Sequence, residues 1–130
     1  MRIRTAAAAL GITLAGAAFA TIAGAGSASA ITPLSDPGHG IYLVVLFDQG
    51  DTVALNNSPI PGVLDQLAPD GRTTMLIDPA SRLPRDDNNV YATVPDVVSE
   101  AARQHGEFGF GWYDPNVNWG NPVRVIQVLP

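Results

Sequence analysis

Few residues in this 130-residue chain could do chemistry. There are two histidines, His39 and His105, and no cysteine. His39 sits in the loop-type run Asp36-Pro37-Gly38-His39-Gly40, and His105 follows a helical pattern, where a cation suits a helix C-terminus. No serine lies in a nucleophile elbow and no glycine loop leads into a helix, so neither acyl transfer nor phosphate chemistry has its usual carrier. The chain reads as a non-enzyme with no catalytic residues and no cofactor. Asp48 with Asp51, and the run Asp86-Asp87-Asn88-Asn89, offer oxygen ligands of the kind calcium takes. Neither has EF-hand spacing, and Asp and Asn recur in turns because their side chains bond the local backbone. His105-Gly106-Glu107 is too short a pattern to argue for zinc, so no metal site is assigned. The aromatics cluster late, as Phe108, Phe110, Trp112, Tyr113 and Trp119. Strand alternation puts Phe108, Phe110 and Trp112 on one face and Gly109 and Gly111 on the other. That face is either core under a helix or, if exposed, a platform for a carbohydrate or a partner.

The elements that must position these residues follow from pattern. Ile31 to Gly40 reads as an irregular lead-in. Ile41-Tyr42-Leu43-Val44-Val45-Leu46-Phe47 has the length and composition of a strand covered on both faces. Asp48 to Asp51 reads as a turn and Thr52 to Leu55 as a short returning strand. The prolines between Asn56 and Asp70 leave room for at most one helical turn around Val63 to Leu67. Arg72 to Ile77 is a second strand, Ala80 to Asn89 a solvated loop, and Val90 to Val94 a brief strand. Thr93-Val94-Pro95-Asp96 combines a capping threonine, a first-turn proline and an acid three residues after the cap. Val97, Val98, Ala101 and Ala102 continue it at helical spacing, and Gly106 is free to take the left-handed cap. Glu107 to Tyr113 and Val123 to Leu129 are the last strands, joined through Asp114-Pro115-Asn116. The expected class is α+β: an antiparallel sheet of about four or five strands with one main helix packed on one face.

The N-terminus sets the compartment. Arg2 and Arg4 precede an Ala- and Gly-rich apolar run over Ala6 to Ala23, and Ser27-Ala28-Ser29-Ala30 supplies the small residues a signal peptidase reads. Residues 1–30 are expected to be a signal peptide cleaved after Ala30, and 31–130 a single secreted, extracellular domain. Losing Arg2 and Arg4 with the leader leaves five arginines and no lysine against twelve acids, a formal net charge of −7. Such a chain is repelled by nucleic acid and by anionic lipid, so neither is an expected partner. Small exported domains usually supplement a modest core with disulfides; this one must rely on packing, on proline-stiffened loops, on an ion or on self-association.

Several segments, read in order, resemble the subtilisin-inhibitor-like family of secreted actinobacterial protease inhibitors. They are the Ala-rich leader; Leu43-Val44-Val45-Leu46 with Gly50; Ala68-Pro69-Asp70-Gly71-Arg72-Thr73-Thr74-Met75-Leu76; Pro95-Asp96-Val97 at the helix start; and Trp119-Gly120 with Arg124-Val125 in the last strand. The resemblance implies an inhibitor of secreted subtilisin-like serine proteases that presents a rigid, substrate-like loop between the helix and the Trp-bearing strand. It also implies a homodimer, and exposed edge strands invite such pairing. The interval matching that loop is bracketed by Gln104, His105, Gly106, Glu107 and Phe108. One of the family's disulfides would fall near Asp78 and Val94, and the chain carries no cysteine at either. The alternative is a secreted, non-catalytic interaction or envelope-associated module that binds carbohydrate through the late aromatics.

Overall fold

The computed structural model describes residues 4–7 and 32–130. The leader expected over residues 1–30 lies outside the described residues except for Arg4–Ala7. The strands are β1 (Arg4–Ala7), β2 (Thr32–Asp36), β3 (Ile41–Phe47), β4 (Thr73–Leu76), β5 (Asn89–Val90), β6 (Glu107–Tyr113) and β7 (Val123–Val128). The helices are α1 (Gln49–Asn56), α2 (Ile60–Gln66) and α3 (Val94–Arg103). The strands form one sheet in the order β2-β3-β6-β7-β4-β1-β5. Neighbours from β2 to β7 are antiparallel, β4 runs parallel to β7, and β1 runs parallel to β4.

The chain is α+β, as its patterns imply, and the sheet is mixed because α1 and α2 carry the chain across it before β4 begins. The three helices of the described residues lie on one face. Leu55 of α1, Leu64 of α2 and Val94, Val97 and Val98 of α3 join Val45, Phe47, Met75, Phe108, Phe110, Val123 and Val125 in a single core. Val44 and Tyr113, with Leu34, Ile41 and Leu43 packed on them, form a smaller cluster.

Three expectations along the first half are corrected. Thr52 to Leu55 is helix, not a returning strand. Asp48 acts as an N-cap, its carboxylate accepting from the Asp51 amide at 2.8 Å, and the Thr52 hydroxyl donates to the Asp48 carbonyl at 2.7 Å. Turn residues and capping residues are the same residue types, so Asp48 satisfies either reading. Asn56 to Asp70 holds the seven-residue helix α2, because Pro61 falls in its first turn, where no amide is needed. The chain preceding Gly40 is also more regular than expected: Thr32–Asp36 is the edge strand β2. At α3 the capping box is complete, with Thr93 and Asp96 each bonding the other's amide. The Asp65 carboxylate accepts from the Val94 amide at 3.0 Å and so ties α2 to the start of α3.

Candidate functional site

The five residues bracketed as a protease-binding loop form a tight joint between α3 and β6. Gln104 closes α3, its amide donating to the Glu100 carbonyl at 3.1 Å. His105, rather than Gly106, takes the left-handed conformation, with φ of 59°. Gly106 is buried and donates to the Ala101 carbonyl at 2.8 Å. A Cβ at Gly106 would lie 2.4 Å from the Val128 carbonyl oxygen, so the glycine answers a close backbone approach and not a need for positive φ. Glu107 and Phe108 already belong to β6. Phe108 is fully buried, with its ring 6.0 Å from that of Phe47. Of the five, Gln104 and His105 are exposed. A shallow hollow beside them is lined by His105, Gly106, Glu107, Val128, Leu129 and Pro130.

Among the described residues, the longest exposed irregular segment precedes α3. Ser81 Oγ, the Arg82 amide and Gln127 Nε2 all donate to the carboxylate of Glu100, which is only 3% exposed. Burial alone would raise the Glu100 pKa. These hydrogen bonds and nearby Arg103 outweigh it and hold the group below its usual range. Arg85 reaches back to the carbonyls of Asp78 and Pro79 at 3.0 and 2.9 Å. Asp86 accepts from the amides of Asn88 and Asn89 and from the Tyr91 hydroxyl, so its carboxylate organises its own turn. Among the described residues no three His, Cys, Asp or Glu side chains gather as a metal would require.

The other built surface is the connection from β6 to β7. Asp114 caps a 3-10 turn over Pro115–Val117, accepting from the Asn116 amide. Asn118 is fully buried. Its Nδ2 donates to the carbonyls of Asn121 and Val123 at 2.7 and 3.0 Å, and its Oδ1 accepts from Arg124 Nε at 2.8 Å. Thr74 of β4 donates to the Asn118 carbonyl and accepts from Asn121 Nδ2. Arg124 Nη2 donates to the Val117 carbonyl at 3.1 Å. The guanidinium stands 3.7 Å from the Tyr113 ring centroid and 5.6 Å from that of Trp119, within cation–π range of both. Burial lowers the Arg124 pKa and raises that of Tyr113. Upon this base the chain turns through Trp119 at φ 53° and Gly120 at φ 84°. The indole is left 57% exposed, while Phe108 and Phe110 are core and Trp112 is half-buried against it. The Pro37–His39 turn braces the same loop: the Gly40 carbonyl accepts from the Asp114 amide at 2.8 Å, and a Cβ at Gly40 would meet Val117 at 2.4 Å.

Sequence reasoning placed Trp119 among the late aromatics but missed Asn118, Thr74 and Arg124 beneath it. Asn118 and Asn121 look like ordinary turn residues, and nothing local says that their amides are buried. The same holds for Glu100, which reads as an exposed helix position. Comparisons with known protein families, curated proteins and solved structures return no match. Among the described residues, no helix is long and apolar enough to cross a membrane.

Proposed function

We propose that this chain is an exported, non-catalytic binding module whose contact surface is centred on Trp119 and takes carbohydrate. The observation that supports it is a large flat ring, more than half exposed, on a loop fixed by a buried Asn118–Thr74–Arg124 network. An aromatic face matches the apolar C–H face of a sugar ring, and a ring already held in place loses little conformational freedom on binding. The test is retention of the chain by insoluble polysaccharides, with tryptophan fluorescence titrated against soluble oligosaccharides. Retention by at least one polysaccharide is expected, weakened at least tenfold in Trp119→Ala and unchanged in Trp112→Phe. Wild-type retention by Trp119→Ala, or retention by none of them, would overturn the reading.

One observation favours the inhibitor reading in altered form. The exposed stretch through Arg82 and Arg85 is braced by Glu100, and a braced extended segment is what substrate-like inhibition requires. Here the loop precedes the helix. Titration of subtilisin and trypsin with the protein tests it: stoichiometric loss of activity with at most a single nick near Arg82 supports it, and digestion of the protein with full protease activity rejects it.

A further inference from the structure

The body of the sheet has two sides at which another strand could add, and they differ. The β2 side carries Pro33, which lacks an amide hydrogen, and a register shift between Leu34 and Asp36. Proline and irregularity are standard means of blunting an edge. The β4 side has neither. Thr73-Thr74-Met75-Leu76 contains no charge, no proline and no register shift, and pairs residue for residue with β7 from Thr73↔Val123 to Leu76↔Ile126.

On that unguarded side the structure seats an extended segment. Arg4–Ala7 pairs parallel to β4, with Thr5 opposite Thr74, Ala6 opposite Met75 and Ala7 opposite Leu76. Its other edge pairs antiparallel to β5, with Arg4 opposite Val90 and Thr5 opposite Asn89. β4 and β5 are therefore two walls of a slot one strand wide. The seated segment comes from the stretch that carries the leader signature, so processing after Ala30 would empty the slot.

We propose that the β4–β5 slot is a peptide-binding site that works by strand addition, covered by residues 4–7 until the leader is removed and then filled by an extended segment of another polypeptide. The slot itself selects the kind of occupant. A strand bonded to both walls must have both of its edges free, which a flexible tail or loop offers. The edge strand of a folded second copy does not, since one of its edges is already paired in its own sheet. The seated sequence, Thr5-Ala6-Ala7, sets the chemistry: a run of small, uncharged residues lying parallel to β4. Main-chain bonds supply the affinity, as in other cases of strand addition. The slot shares Thr74 with the network beneath Trp119: the residue lines the slot opposite Thr5, while its hydroxyl bonds the Asn118 carbonyl and Asn121 Nδ2.

The experiment compares the full chain with its Thr5→Pro/Ala7→Pro variant, whose prolines remove amide donors from the seated segment. The probe is a labelled synthetic peptide spanning Arg2 to Ala9. The variant is expected to bind it at least tenfold more tightly than the wild-type chain, and to bind a copy carrying Ala6→Pro at least tenfold more weakly. Equal binding by wild type and variant, or a folded variant that binds neither peptide, would overturn the proposal. Hydrogen exchange on the wild-type chain gives a second reading that needs no variant. Slowed exchange at both Ala6–Ala7 and Thr74–Leu76 is expected, and unprotected amides at Ala6–Ala7 would equally overturn it.

Discussion

His105 and Trp119 are the two non-glycine residues with left-handed backbone among the described residues, and each is followed by glycine. The pairs His105-Gly106 and Trp119-Gly120 look alike in sequence and serve opposite ends. At His105 the surrounding groups join α3 to β6: Gly106 is wedged against the Val128 carbonyl, and the next aromatic, Phe108, goes straight into the core. At Trp119 the turn is supported from below by Asn118, Thr74 and Arg124, and its side chain points out. A Cβ at Gly120 would meet nothing within 4 Å. One glycine answers close packing and the other a backbone angle. Strain at the first turn serves connection, and at the second it serves display.

The largest effect expected separates the two glycines. Gly106→Ala places a methyl group within 2.4 Å of a backbone oxygen and 2.9 Å of Leu129 Cδ2. The strand end must shift to admit it, and a loss of about 3 kcal/mol is expected from that overpacking. Gly120→Ala pays only for positive φ, about 1 kcal/mol. Denaturant unfolding of the two variants measures the gap, and equal losses would show that the two turns do not differ as argued.

Next in size is Asn118→Ala. It strands the Arg124 Nε donor and the carbonyls of Asn121 and Val123 in a buried place, which costs about 2–3 kcal/mol. The signature that ties it to display is a fall in Trp119 fluorescence anisotropy, measured in a Trp112→Phe background so that a single indole reports. A rigid Trp119 in the Asn118→Ala variant would mean that the network does not hold the ring.

What could be read in advance followed the reach of each signal. Ile41–Phe47 and Glu107–Tyr113 were legible because a strand declares itself over seven residues, and α3 because Thr93 and Asp96 form a cap whose two bonds are both local. α1 was missed because Asp48 and Thr52 satisfy turn and cap alike. The site was legible only in its exposed part. Trp119 could be singled out as an aromatic, but Thr74 lies 44 positions before Asn118 in the chain, and only the β4–β7 pairing brings them together. Likewise Glu100 becomes a brace for Ser81 and Arg82 through contacts 18 and 19 positions apart.

Glu100 stands one helical turn before the His105 joint and gives the comparison a pH dependence. Its folded pKa lies below the unfolded reference of 4.5. The folded state therefore binds the proton less readily than the unfolded chain. The stability Glu100 contributes is full above about pH 4.5 and is lost as pH falls through its folded pKa. Glu100→Gln should lower the melting temperature at pH 7, with the difference from wild type shrinking as pH falls below about 4.5, as differential scanning calorimetry would show. A constant offset at every pH would assign the effect to packing and not to charge.

The smallest effect is the one that best isolates the difference between the two turns. Replacing His105 or Trp119 by glycine relieves the same backbone strain. The penalty of about 1–2 kcal/mol for a side chain in the left-handed region disappears, partly offset by the greater freedom of an unfolded glycine. A net gain of about 0.5–1 kcal/mol, or roughly 2–5 °C in Tm, is expected for His105→Gly. At Trp119 the same relief acts, and the ring removed is mostly in water, so little burial is lost with it. Both variants should thus fold at least nearly as well as wild type, but only Trp119→Gly should lose retention on polysaccharide. Retention lost in His105→Gly as well would place the contact surface at the α3–β6 joint, and a large destabilisation by Trp119→Gly would make the indole a structural lid over Arg124 and Tyr113.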